Sequence, residues 1–232
     1  MRQRLKITGA VLIAIIGVAT AWAFQPAPNI IRACPECSGE IVQNAIMSGN
    51  TFGARMWTDG KMEAPMLPDY PLLVKCPDCQ ALLWIAEARE IGLGGFFDEN
   101  PGWPNAKKPG LPSESDLLRA LMAGELSAEK DLYLRRRYWW TINDAYRTDT
   151  PAVAAFTPLQ ERLLRSLADV FDVTDPDQRI AKAEIFRELK MYGDCIRLLA
   201  DPFDDDIHAK VGTFIKKSAE QKIWTVFQIP WN

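Results

Sequence analysis

Residues 34–39 read CPECSG and residues 76–81 read CPDCQA. The two stretches use four of the five cysteines in the chain, Cys34, Cys37, Cys76 and Cys79. A Cys-x-x-Cys tetrapeptide folded as a tight turn aims two sulfurs at one point, and proline after the first cysteine helps to fix that turn. Two such turns supply the tetrahedral all-sulfur shell that zinc prefers, with no open position left for a catalytic water. Residues 38–75, between the pairs, are long for a minimal site but leave room for a hairpin insertion. Nothing else in the sequence suggests electron transfer, which favours zinc over iron. The metal reading is therefore one structural Zn2+ held by Cys34, Cys37, Cys76 and Cys79.

Two other chemistries suit the same residues. Oxidising conditions would convert the cysteines to disulfides, within or across the pairs. A CPxC pair also fits thiol–disulfide exchange, but that motif ordinarily opens a helix after a strand, and neither copy has that context. Covalent haem is excluded because neither CxxC is followed by histidine. The choice depends on compartment, and the N-terminus speaks to it. MRQRLK is a basic segment, residues 7–24 are eighteen residues without a charge, and Ala21-Trp22-Ala23 fits a small-x-small cleavage site. As a helix the run would span roughly 27 Å, against about 30 Å for a bilayer core, so an uncleaved anchor with Trp22 at the interface competes with a signal peptide. Either form places the bulk of the chain in the periplasm or another extracytoplasmic space, secreted after cleavage near Ala23 or held in the inner membrane by residues 7–24. Arg32, two before Cys34, argues against lipidation.

The rest of the chain divides by composition. Eleven of the sixteen prolines fall between 26 and 112. Within that part Asp59-Gly60, between short apolar runs, is a hairpin signal, whereas ALLWIAEARE (81–90) fits a strand or the first turns of a helix. Residues 98–113 hold six prolines and glycines and read as a linker. Helix starts then come in series. Ser113 with Asp116 makes a capping box, and Gly124 stops that helix. Ser127 opens the second, with Leu132, Trp139, Ile142 and Tyr146 on one face. Thr157-Pro158-x-Gln160 and Asp175-Pro176-x-Gln178 open the third and fourth. A short fifth follows at about 193–200 and a sixth ends near Gln221. The expected fold is α+β: a β-rich four-cysteine module over 30–97, a linker over 98–113, and an all-α part over 114–232.

The CPxC turns resemble the knuckles of zinc-ribbon and rubredoxin-like domains over residues 34–90, a resemblance that implies four structural cysteine ligands. Ser38-Gly39 follows Cys37 much as in those knuckles; Gln80-Ala81 after Cys79 departs from the usual glycine. Residues 183–200, AEIFRELKMYGDCIRLLA, resemble one tetratricopeptide-type unit through Ala183, Phe186, Tyr192 and Cys195, with Lys190 in place of the turn glycine. That resemblance implies a protein-binding surface; a plain helical hairpin reads the same residues equally simply. The pairing of a CPxC ribbon with a short helical part also resembles uncharacterised bacterial proteins, which implies no activity.

Other stretches have plainer explanations. Removing Arg2, Arg4 and Lys6 from the 27 basic residues leaves 24 against 30 acidic, a net of −6 that opposes nucleic-acid binding. RRRYWW (135–140) reads as a core aromatic beside a solvated arginine face. DPFDDDIH (201–208) lacks the spacing of a calcium loop and suits a helix N-terminus. GLGGFF (92–97) lacks the phosphate-binding order and reads as a hinge, and Trp57 to Lys61 reads as a hairpin tip. Cys195 is expected as a buried thiol. With one histidine, His208, no Ser/His/Asp set can be argued, and no catalytic residue is assigned. The role that emerges is binding or scaffolding, with another protein as partner and the membrane a possible one through residues 7–24. A periplasmic thiol–disulfide oxidoreductase using one CPxC pair is the rival.

Overall fold

The computed structural model describes residues 25–97, 99–148 and 154–230. The proposed leader at 1–23 and the apolar run 7–24 thus lie outside the described residues, apart from which no described helix is long and apolar enough to cross a membrane. The fold is α+β, as the punctuation of the sequence suggests. Strand β1 (Gln25–Ala33) is flanked by β2 (Glu40–Ser48) and by β7 (Arg89–Leu93), both antiparallel to it. Strands β3 (Arg55–Met56) and β4 (Met62–Glu63) form a small hairpin, and β5 (Leu73–Lys75) pairs with β6 (Leu82–Trp84) in another. Six helices follow among the described residues: α1 (Glu114–Met122), α2 (Ala128–Asn143), α3 (Pro158–Val170), α4 (Pro176–Glu188), α5 (Tyr192–Leu198) and α6 (Asp206–Glu220).

The helix starts obey the local chemistry. Ser113 and Thr157 form reciprocal capping boxes with Asp116 and Gln160, satisfying two N-terminal donors at each helix. Ser127 and Asp175 accept from the amides three residues on. Gln178 does not return the bond to Asp175, because its carbonyl accepts the Asp172 amide at 3.1 Å instead. Gly124 takes φ +77° just past α1, where a left-handed residue ends a helix without steric penalty. Lys190, where the tetratricopeptide pattern has glycine, adopts φ +61° between α4 and α5. Ala183 and Cys195 are fully buried where α4, α5 and α6 pack together.

The β5–β6 hairpin joins the two halves through the period-two alternation of a strand. Val74 and Leu83 face the cysteine side, in a core with Cys34, Ile41, Cys76, Ile85 and Ala88. Leu73, Leu82 and Trp84 face the helices, against a core of Leu117, Leu134, Tyr138, Trp139, Leu164, Leu167 and Phe171. ALLWIAEARE is therefore neither one strand nor one helix: β6 gives way to a 3-10 turn at Ile85–Glu87 and then to β7. The Pro/Gly-rich segment lies along the module, with Lys107 bonded to Glu40 and Val42 and Gly110 bridging Lys75.

GLGGFF is not a hinge. Gly92 and Leu93 end β7, and Gly94 and Gly95 exchange backbone bonds with Asn29 at 2.8 Å. A side chain on Gly92 would strike the Trp103 ring, with an added Cβ only 2.2 Å away. RRRYWW does pack as a core aromatic, since Trp139 and Tyr138 are buried and Arg137 pairs with Asp69 at the surface.

Candidate metal centre

Each CPxC stretch is the turn of a β-hairpin. Cys34 directly follows β1 and its amide donates to the Gly39 carbonyl at 2.9 Å, while the Ser38 amide returns to the Cys34 carbonyl at 2.9 Å. The second turn repeats this pattern, Cys76 to Ala81 at 2.8 Å and Gln80 to Cys76 at 3.0 Å. The residue after the second cysteine is left-handed in both, Ser38 at φ +61° and Gln80 at φ +62°. Non-glycine residues in that region carry a strain of order 1 kcal/mol. At the second knuckle the Gln80 side chain offsets it by donating to the Cys76 and Pro77 carbonyls, each at 3.2 Å. The departure from glycine after Cys79 thus leaves the turn intact.

The two knuckles face each other. The four sulfurs all lie within 4.8 Å of one another, with Cys34 Sγ 3.7 Å from Cys79 Sγ and Cys37 Sγ 3.6 Å from Cys76 Sγ. These distances are far from the ~2.05 Å of a disulfide bond. A tetrahedral thiolate shell with Zn–S near 2.3 Å separates its sulfurs by roughly 3.8 Å, so the four cysteines could hold such an ion. Among the described residues they are the one cluster of metal-ligating side chains gathered this tightly. Gly39 marks the closest approach of the turns: an added Cβ would sit 2.3 Å from Asp78 Oδ2 and 3.3 Å from Cys37 Sγ.

Burial and charge divide the sulfurs. Cys34 and Cys76 are buried in the module core; Cys37 and Cys79 are exposed. Desolvation works against ionising Cys34, but the amides of Cys37 and Glu36 outweigh it and hold its thiol below the ordinary value. Burial raises Cys76, and the neighbouring sulfurs help to raise Cys37 and Cys79 against the amides of Gly39 and Ala81. One thiolate is thus favoured and its neighbours resist ionising beside it, as expected of like charges sharing a site. A cation reverses that balance, and binding one releases protons. Lys107 reaches across from the Pro/Gly-rich segment to Asp78 at 2.5 Å, adding positive charge beside the second knuckle.

The remaining candidates fall elsewhere. Cys195 is fully buried, and burial pushes its thiol up to about 12, an inert core sulfur. His208 sits in the first turn of α6, bonded to Asp205 at 2.5 Å and Asp177 at 3.0 Å. Desolvation opposes its charge, but the two carboxylates prevail and raise its pKa. Asp205 caps that helix by accepting the Ile207 and His208 amides, as its place in the acidic run suggests.

Sequence reasoning missed a second polar centre. The tip of the β3–β4 hairpin is inserted into the helical half, where Asp59 is ion-paired with Arg147 and accepts from Asn143 at 2.9 Å. The same Asn143 amide bridges to Glu188 at 2.9 Å, whose other oxygen takes the Trp139 indole N–H at 2.7 Å. Next to it Arg187 pairs with Glu184 and donates to the Ile223 and Thr225 carbonyls, fixing the C-terminal segment. Desolvation, with Glu184 and Asp59 nearby, drives the Glu188 pKa well up. Asp59 and Glu184 each have an arginine partner, whereas Glu188 is bonded by the neutral donors Asn143 and Trp139. Trp57 is buried beside this group, with Arg147 over its ring at 5.0 Å.

No family model, curated protein or solved structure matches the chain. The resemblances to zinc-ribbon knuckles and to a tetratricopeptide unit rest on the residues quoted for them.

Proposed function

We propose that this is an exported or membrane-tethered protein in which one structural zinc ion stabilises the small β module while the helical part binds another protein. The convergence of four sulfurs at the spacing of a tetrahedral thiolate shell carries this reading. Cys34 and Cys37 from one hairpin and Cys76 and Cys79 from the other would hold the ion. When bound, it neutralises the thiolates and ties the hairpins together. The module needs such a tie, because its core is seven residues, two of them cysteines, too little apolar burial to stabilise it alone.

Export is supported by the basic start and the uncharged run 7–24. The binding role is supported by a cavity of about 450 Å³ between the β3–β4 hairpin, α2, α4 and α6, lined by Trp57, Trp140, Arg136, Asp177 and His208. Mixed aromatic and charged walls of this kind suit side chains of a protein partner. One feature favours the rival, a thiol–disulfide oxidoreductase: Cys37 and Cys79 are exposed. Against it, both pairs lie in hairpin turns rather than at helix N-termini, where a reactive thiolate is stabilised.

Native mass spectrometry of the purified full chain separates the readings. The zinc reading expects one zinc per chain, no thiol reacting with iodoacetamide until the metal is chelated, and no disulfide reductase activity. A metal-free protein whose reductase activity disappears in Cys34→Ser establishes the rival. Two disulfides without metal or activity refute both.

A further inference from the structure

The three consecutive arginines of α2 end in different surroundings. Arg135 pairs with Asp131 at 2.6 Å and donates to Ser166 at 2.6 Å, and Arg137 pairs with Asp69. Arg136, between them, makes no ion pair and no hydrogen bond among the described residues. Its guanidinium rests on the Phe171 ring, 5.3 Å from the centroid, and its Nε is covered without an acceptor. A half-buried guanidinium in this state lacks the acceptor that it binds best, a carboxylate taking two parallel N–H groups. Gln178 stands beside it with a second donor. Its Oε1 accepts the Asp172 amide at 3.1 Å, which fixes the orientation of the side-chain amide, and its Nε2 has no acceptor among the described residues.

Arg136 and Gln178 line two cavities at once: the one of about 450 Å³ already described, and one of about 490 Å³ between the turn after β6 and α2. Along α2 the residues before Arg136 line the second cavity and those after it line the first. Each cavity adds an apolar wall, Trp57, Trp140 and Ile180 in the first, and Leu72, Trp84 and Tyr133 in the second. Tyr133, Arg136 and Trp140 stand at i, i+3 and i+7, so roughly 5 Å of helix axis separates the cation from each ring. The rings are held in place. Trp84 and Tyr133 have centroids 5.6 Å apart, the Tyr133 hydroxyl accepts the Leu72 amide at 2.8 Å, and the Trp140 indole donates to the Asp59 carbonyl at 3.0 Å. The other charged walls are engaged. Lys130 pairs with Glu87, His208 with Asp177 and Asp59 with Arg147, while Asp175 caps α4 by accepting the Gln178 amide at 3.0 Å. Glu129 is exposed in the first turn of α2, about 10 Å along the axis from Arg136. One carboxylate satisfies the free guanidinium and the free amide, whereas the wall carboxylates repel a dianion such as a phosphate.

We propose that the paired cavities take a segment of a partner protein in which one acidic side chain lies between two apolar or aromatic ones. The carboxylate binds Arg136 and Gln178, and the flanking side chains enter the Trp57–Trp140 and Trp84–Tyr133 walls. This rests on the proposed function, in which the helical part binds another protein, and it names the chemistry of that partner. The apolar contacts supply most of the buried area and the single ion pair sets the register, as central anchors and charges do in protein interfaces.

The test selects a displayed library of random peptides against the purified full chain and measures the enriched peptides by fluorescence anisotropy. The enriched sequences are expected to share an aspartate or glutamate flanked by apolar residues. Changing that acid to its amide in the peptide, or Arg136→Gln in the protein, is expected to weaken binding about 10- to 100-fold. The two changes together should weaken it no further than either alone, because both remove the same ion pair. Arg136→Lys keeps the charge without the two-pronged donor and is expected to lose part of the affinity, which provides a second variant if Arg136→Gln lowers the urea midpoint. Enriched peptides without an acid, or with an acid whose loss adds to that of Arg136→Gln or Arg136→Lys, overturn the inference and leave the partner-binding reading standing. A chain that enriches no peptide overturns both.

Discussion

The core around the cysteines contains seven buried residues, while the core shared by α1 to α4 contains eleven, among them Trp139, Tyr138, Phe171 and seven leucine or isoleucine side chains drawn from several elements. The difference follows from the chain available to each. Four capped helices present wide apolar faces that bury one another, and stability there comes from area removed from water. The module offers short strands interrupted by proline, so little area is available, and the sulfurs converge where a larger core would otherwise be. The helical half spends some of that surplus on a buried polar centre, Asp59–Arg147 and Glu184–Arg187, which the smaller core could not accommodate.

Removing the proposed zinc ion is the harshest way to break the comparison. Structural zinc contributes on the order of 10 kcal/mol to small metal-dependent folds. Chelation is therefore expected to abolish amide-exchange protection in β1, β2, β5 and β6 while α2 to α6 keep theirs. Simultaneous loss of protection in the helices would show that Leu73 and Trp84 make the two cores one cooperative unit.

Asp59→Ala attacks the other half at its polar centre. It leaves the Arg147 guanidinium buried with its main partner gone, and breaking such a pair destabilises by about 3–5 kcal/mol. Urea unfolding should show that loss with metal content unchanged. Leu134→Ala, in the middle of the helical core, is expected to lose about 2–5 kcal/mol in the same measurement, again with the metal retained.

A subtler probe is pH. Unfolded, Glu188 ionises near 4.5; folded, it keeps its proton to higher pH because it is desolvated and faces Glu184 and Asp59, against which Arg187, the Trp139 indole and the Asn143 amide favour its charge. The folded state then binds the extra proton, so the Glu188 contribution to stability is full below about pH 4.5 and declines as pH rises towards the folded value. Glu188→Gln should remove that decline, seen as a flatter urea midpoint against pH. An unchanged profile would mean that Glu188 is ionised in the fold. Smallest of all, Thr157→Ala removes one cap and should cost about 1 kcal/mol.

What could be read from the sequence was whatever chemistry is local. Ser113, Ser127, Thr157 and Asp175 cap helices because the cap and the amides it serves lie within three residues. Asp59-Gly60 turns a hairpin for the same reason, with Gly60 at φ +77°. The convergence of the knuckles was legible because two Cys-x-x-Cys turns have the spacing of a four-sulfur site. The burial of the Asp59 tip was not, since its partners Asn143 and Arg147 are more than eighty residues away. Glu184, Arg187 and Glu188 carry no local signal of burial; packing against α2 and the C-terminal segment turns them inward. GLGGFF suggested mobility because its glycines carry no side-chain signal, and the reason for Gly92 is the Trp103 ring that covers it.

The sulfur site itself can be measured without reference to any partner or compartment. X-ray absorption at the zinc edge of the purified full chain should show four sulfur neighbours near 2.3 Å and no oxygen or nitrogen ligand, at one zinc per chain. A chain that contains no metal, or whose zinc is bound through oxygen and nitrogen, would contradict a structural role for Cys34, Cys37, Cys76 and Cys79.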